Sequence, residues 1–96
     1  MDLGLAGKSA IVSAASRGLG RACARSLAAN GVSVTIAART PGPLQETADE
    51  IRADFGVGAT AVVADVTAAE GRQALLEACP RPDILVNNAG GPPPRR

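Results

Sequence analysis

The first residues with a chemical purpose are Ser13-Ala-Ala-Ser-Arg-Gly-Leu-Gly20. They follow a short apolar run, Ser9-Ala-Ile-Val-Ser13, and lead straight into a helical pattern. A glycine-bearing turn between a strand end and a helix start suits a pyrophosphate. Glycine admits close approach of the backbone, while the unpaired amides and positive end of the helix attract the anion. Gly18-x-Gly20 by itself is a weak signal that also serves as a plain helix-packing turn; the strand before it and the helix after it give it weight. Nineteen residues beyond Gly20, at the end of the next β-branched run, stands Arg39. A carboxylate at that point would accept from the 2′-hydroxyl of NAD, whereas a guanidinium pairs with the 2′-phosphate of NADP. Arg17, inside the turn, offers the second side of such a phosphate clamp. The plain alternative for Arg39 is a solvated residue at a strand end.

The elements that must position these groups follow from hydrophobic period. Ser9–Ser13 reads as a strand, and Leu19, Ala22, Cys23, Ser26 and Leu27 recur at helical spacing, with Arg21 and Arg25 on the opposite, wet face. Asn30-Gly31 ends that helix. Val32–Ala38 is a second strand. Pro41 and Pro43 open a second helix, whose buried stripe is Leu44, Ala48, Ile51 and Phe55 and which Gly56 closes. Ala59–Ala64 is a third strand. Thr67 and Glu70 have the spacing of a capping box for a helix running through Leu75, Leu76 and Cys79. Pro80 and Pro82 stop it before a fourth strand, Ile84-Leu-Val86. The order β-α-β-α-β-α-β argues an α/β fold, a parallel sheet with helices on both faces and right-handed crossovers.

Composition narrows the chemistry further. With 96 residues there is room for one small domain and none for a separate substrate domain. The chain is 46% hydrophobic and 20% charged, with a net charge of +1, so nothing electrostatic argues for nucleic acid or an anionic membrane. It has no His, Trp or Tyr, which excludes an imidazole base, a His-ligated metal and a phenol acid. The single Phe55 cannot form a stacking platform for single-stranded nucleic acid. Cys23 and Cys79 form no CxxC and read as two reduced thiols. The opening residues do not form a signal peptide and no run approaches a membrane span, so the expected location is the cytoplasm.

The glycine turn, Ala64-Asp-Val-Thr67 and Asp83-Ile-Leu-Val-Asn-Asn-Ala-Gly90 together resemble the short-chain dehydrogenase/reductases, and more narrowly those similar to 3-oxoacyl-[acyl-carrier-protein] reductase. The resemblance implies a Rossmann-type sheet of strand order 3-2-1-4, an NADP-binding segment over residues 1–90 and a Pro/Arg tail at 91–96. It implies that Ser13, Ala14, Ser16, Arg17, Gly18, Leu19 and Gly20 wrap the pyrophosphate. Arg17 and Arg39, with the adjacent Thr40, would then face the 2′-phosphate. Asp65 and Val66 would border the adenine, Asp65 accepting from its amino group. Asn88, Ala89 and Gly90 would flank the nicotinamide-side ribose, although Asn87 and Asn88 also serve to tie strands together. Ser13-Ala14 stands where the family usually has Thr-Gly, which adds a methyl at a tight turn.

The family's acid/base chemistry uses a Ser and a Tyr-x-x-x-Lys that lie beyond the Asn-Asn-Ala-Gly segment. This chain has no Tyr, and its lysine, Lys8, precedes the first strand, so no residue is expected to be catalytic. The leading expectation is the N-terminal part of an NADP-dependent oxidoreductase, cut short of its catalytic half, acting on a carbonyl or secondary alcohol only in a full-length enzyme. In that form it lacks the family's usual oligomer interface and binds cofactor weakly. A stand-alone nucleotide- or partner-binding module without catalysis is the second reading, and a methyltransferase-like or flavodoxin-like domain the third.

Overall fold

Alanine-rich helical segments alternating with β-branched runs build a sheet covered on both faces. The computed structural model describes residues 4–13, 18–65 and 68–86. In chain order the elements are β1 (Ser9–Ser13), α1 (Gly18–Ala29), β2 (Ser33–Ala38), α2 (Pro41–Phe55), β3 (Ala59–Val63), α3 (Ala69–Ala78) and β4 (Ile84–Val86). All three strand pairings are parallel and the order is β3-β2-β1-β4, as the resemblance implies. Strand ends differ from the periodicity by a single residue at Val32, whose amide donates to the Leu27 carbonyl, and at Ala64.

Strand alternation divides the core. Ala10, Val12, Val34, Ile36 and Ala59 point to the face covered by α1 and α2, where they meet Ala24, Ala28, Leu44, Ala48 and Ile51. Ile11 and Ala37 point the other way, against Leu75 and Cys79 of the α3 side. This second layer is thin. Leu85 pairs with Ile11 and so shares its face, yet it is 69% exposed, and Leu76 of α3 is 52% exposed. β4 is also an edge strand of the sheet, as is β3.

The α2 stripe is as the spacing indicates: Leu44, Ala48 and Ile51 are fully buried, Phe55 packs beside them, and Gly56 caps the helix with φ 70°. For α1 the expectation needs correction. Its buried line is Gly20, Ala24 and Ala28, while Ala22 and Ser26 are exposed and Cys23 and Leu27 lie half-buried on the flank. Small residues at four-residue spacing let the helix sit close to the sheet, which pushes the bulkier Cys23 and Leu27 aside. Arg21 and Arg25 remain partly in water, and they also pair with α2. Arg21 pairs with Glu50, Arg25 donates to Asp54 at 2.8 Å, and the Arg25 guanidinium lies 5.1 Å from the Phe55 ring centre. These half-exposed pairs lock α1 to α2 at no more than about 1 kcal/mol each.

The capping-box expectation also fails. The N-cap of α3 is Ala68, which makes no side-chain cap bond, and Glu70 therefore falls one place too early in the helix. The turn closes through main chain instead, the Ala68 amide donating to the Asp65 carbonyl at 3.0 Å.

Candidate functional site

Because every strand runs the same way, their C-terminal ends share one edge of the sheet, with neighbours about 4.8 Å apart. Ser13 pairs with Ala37, Ala38 with Val63 and Val12 with Val86. The residues that leave those strands therefore line up in the order Asp65, Arg39, then the turn into α1. One further bond, from the Ala64 amide to the Ala38 carbonyl at 3.0 Å, carries the β3–β2 pairing up to the residue before Asp65.

The sequence candidates that fall within the described residues can be placed on this edge. Ser13 is 4% exposed, and its hydroxyl donates to the Val86 carbonyl at 3.4 Å, tying the end of β1 to the end of β4. Gly18 opens α1 at φ 65°, and Gly20 is buried beneath it. The first turn of α1 contains no acidic residue, so nothing cancels the positive end of the helix dipole. Arg39 is exposed directly after β2, and its guanidinium makes no hydrogen bond or ion pair among the described residues. Thr40 is the N-cap of α2 but its hydroxyl caps nothing, and Pro41 follows at the first helical position. Asp65 is half-buried beyond β3. The candidates Ala14, Ser16, Arg17, Val66, Asn88, Ala89 and Gly90, together with the Leu19 side chain, lie outside the described residues.

A residue that the sequence reading passed over also belongs here. Gly71, in the first turn of α3, is buried against the Asp65 main chain. Its signal was a glycine early in a helix that had no need of one for flexibility.

The start of α1, with no acidic residue in its first turn, and the exposed Arg39, unpaired among the described residues, thus lie along one edge of the sheet, with Asp65 beyond β3. No group of three or more metal-ligating side chains occurs among the described residues. A cavity of about 460 Å³ lies at the other end of the strands, lined by Ser33, Thr35, Thr60, Cys79 and Arg81. It faces away from the glycine turn and shares none of these residues.

Gly18 makes the first expectation concrete. A methyl there meets no atom within 4 Å, so its tolerance depends on φ alone. Gly18→Ala should lower the stability by about 1–2 kcal/mol through its left-handed conformation. Urea unfolding checks it, and an unchanged midpoint would mean that the turn rearranges freely.

A four-stranded parallel sheet wound on both faces, with a glycine-opened helix after its central strand, defines a Rossmann-type α/β unit. The family model for short chain dehydrogenase matches residues 8–96, and the chain belongs to that family of oxidoreductases. It is 38% identical over 91 residues to an uncharacterized oxidoreductase of Bacillus subtilis, covering 94% of this chain and 34% of that protein. Identity to the L-xylulose reductase of Mus musculus is 43% over 90 residues, covering 93% and 34%. Among solved structures, the L-sorbose reductase of Gluconobacter frateurii, complexed with NADPH and L-sorbose, superposes with a TM-score of 0.90 at 38% identity, covering 95% of this chain and 36% of that one. The chain thus spans about a third of the length of these relatives. Membership removes the methyltransferase-like and flavodoxin-like readings.

Proposed function

We propose that residues 1–90 form the NADP(H)-binding segment of a short-chain oxidoreductase that moves a hydride to or from a carbonyl or secondary alcohol, with residues 91–96 as a Pro/Arg tail. The observation that carries this is the exposed Arg39 guanidinium, unpaired among the described residues, on the same sheet edge as Gly18. One charge suits a 2′-phosphate and the other feature suits a pyrophosphate, which is the pairing of groups that NADP presents and NAD does not. The NADPH in the sorbose reductase structure supports the same choice.

In this reading Gly18 and Gly20, with Ser13, Ala14, Ser16, Arg17 and Leu19 around them, hold the diphosphate against the start of α1. Arg39 and Thr40 receive the adenosine side, Asp65 and Val66 border the adenine, and Asn88, Ala89 and Gly90 approach the nicotinamide ribose. The bound cofactor would supply the hydride in reduction and accept it in oxidation. The protein's own part is to bind and orient; with no tyrosine in the sequence it carries no phenol to move the proton, and the 96-residue chain binds without turnover. Its partners are the dinucleotide and, in a full-length enzyme alone, a small carbonyl or alcohol. The location in this reading is cytoplasmic. Among the described residues no helix is long and apolar enough to cross a membrane.

Titrating the chain with NADPH and with NADH, followed by nicotinamide fluorescence, tests the reading. Saturable binding with NADPH at least about tenfold tighter is expected from one charge-assisted contact. Equal affinities, or none for either, overturn it.

A further inference from the structure

Gly71 has no side chain with which to touch a nucleotide, yet it is buried directly against the main chain of Asp65. A Cβ at this position would overlap the Asp65 carbonyl oxygen, and would stand 2.6 Å from the carbonyl carbon and 3.0 Å from the Asp65 nitrogen. The obstacle is main chain on all three counts, so no side-chain rotation can relieve it. The overlap is the most severe among the glycines of known surroundings: Gly4, Gly7, Gly18, Gly42 and Gly56 face open space, Gly58 meets only the Ser33 side chain, and Gly31 meets Ala6 no nearer than 3.1 Å. Bare backbone at Gly71 is what lets the first turn of α3 rest on the residue leaving β3. The same junction is closed by the bond from the Ala68 amide to the Asp65 carbonyl.

We propose that Gly71 is a positioning residue for the purine end of the cofactor: by seating α3 directly on the Asp65 main chain, it fixes where the Asp65 carboxyl emerges and so sets discrimination between 6-amino and 6-oxo purines. The proposal rests on the reading of Asp65 as the acceptor for the adenine amino group. A carboxylate accepts from an exocyclic amino group, whereas a 6-oxo purine presents an oxygen there and the two acceptors repel. That preference depends on the carboxyl being held in place, because a hydrogen bond weakens steeply once distance and angle depart from their narrow range. Any side chain at position 71 must drive α3 and Asp65 apart and degrade that placement. Packing alone would make Gly71 matter for stability; positioning makes it matter for which purine binds.

The test compares NADPH with its hypoxanthine analogue, in which the 6-amino group is replaced by oxygen, on the 96-residue chain and on Gly71→Ala. The wild type is expected to favour NADPH by about tenfold, the worth of one hydrogen bond to a charged group. Gly71→Ala should bring the two ligands within twofold while a cooperative melt persists. A wild type that discriminates alongside a Gly71→Ala that discriminates equally overturns the positioning role and leaves the Asp65 reading standing. A wild type that treats the two ligands alike overturns both. Should Gly71→Ala fail to melt cooperatively, Ala68→Gly replaces it, loosening the same junction without inserting any atom. It should reduce the discrimination two- to fivefold, and full retention of the preference overturns the proposal.

Discussion

Replacing Arg39 with aspartate should weaken NADPH binding about a hundredfold while leaving NADH binding unchanged or a few-fold tighter. A guanidinium hydrogen-bonded to a phosphate contributes about 1.5–3 kcal/mol, and reversing the charge adds repulsion, so a loss near 3 kcal/mol is the reasonable scale. The new carboxylate can instead accept from a ribose hydroxyl, which is how NAD is received at this place in such folds. Arg39 is exposed and unpaired among the described residues, so its loss should leave the melting temperature where it was. The competing explanation is bulk electrostatics, since the substitution takes the net charge from +1 to −1. Arg81→Asp makes the same change at the opposite end of the strands, where Arg81 lines the distant cavity, and it should alter NADPH affinity less than threefold. Isothermal titration of the two variants separates the cases. Equal effects would show that the phosphate feels only the overall field, and the proposed contact would be wrong.

Much of this was legible before any coordinates. Strand identities followed from β-branched runs, the α2 stripe from its period, and the position of Arg39 from the rule that parallel strands present their ends along one edge. The misses have a common cause. Arg21 and Arg25 looked solvated because their partners, Glu50 and Asp54, are 29 residues away on another helix, and period on one helix says nothing of the next. The Thr67–Glu70 spacing was a sound local signal, but the backbone bond from Ala68 to Asp65 fixed the start of α3 first. Gly71 was invisible for the same reason: its requirement comes from the Asp65 backbone, not from its own neighbours in the helix. Local spacing reports what an element wants, and contacts between elements decide what it does.

Ile36→Ala should abolish the cooperative melt of the chain at room temperature. Ile36 is 0% exposed in the strand between β3 and β1, paired in register with Val12 and Ala61, and it belongs to the cluster under α1 and α2. Truncating a buried isoleucine costs about 2–5 kcal/mol through lost transfer energy and the cavity left behind. A protein of this length commands only about 5–14 kcal/mol. Its position in that range is low, because the α3 layer is thin and Leu85 and Leu76 remain largely in water. Leu85→Ala, removing a side chain of equal size from an exposed site, should shift stability by no more than about 0.5 kcal/mol. The contrast turns on burial and not on the chemistry of the residue. It also reaches the site, since Ile36 lies on β2 three residues before Arg39, which directly follows that strand, and the edge exists only while β2 is held. A ligand at a hundred times its Kd adds about 2.7 kcal/mol to the folded state. NADPH at that excess should therefore restore part of the Ile36→Ala melt, and NADH at the same concentration should restore less. A melt that NADPH leaves unchanged would separate the folded sheet from nucleotide binding altogether.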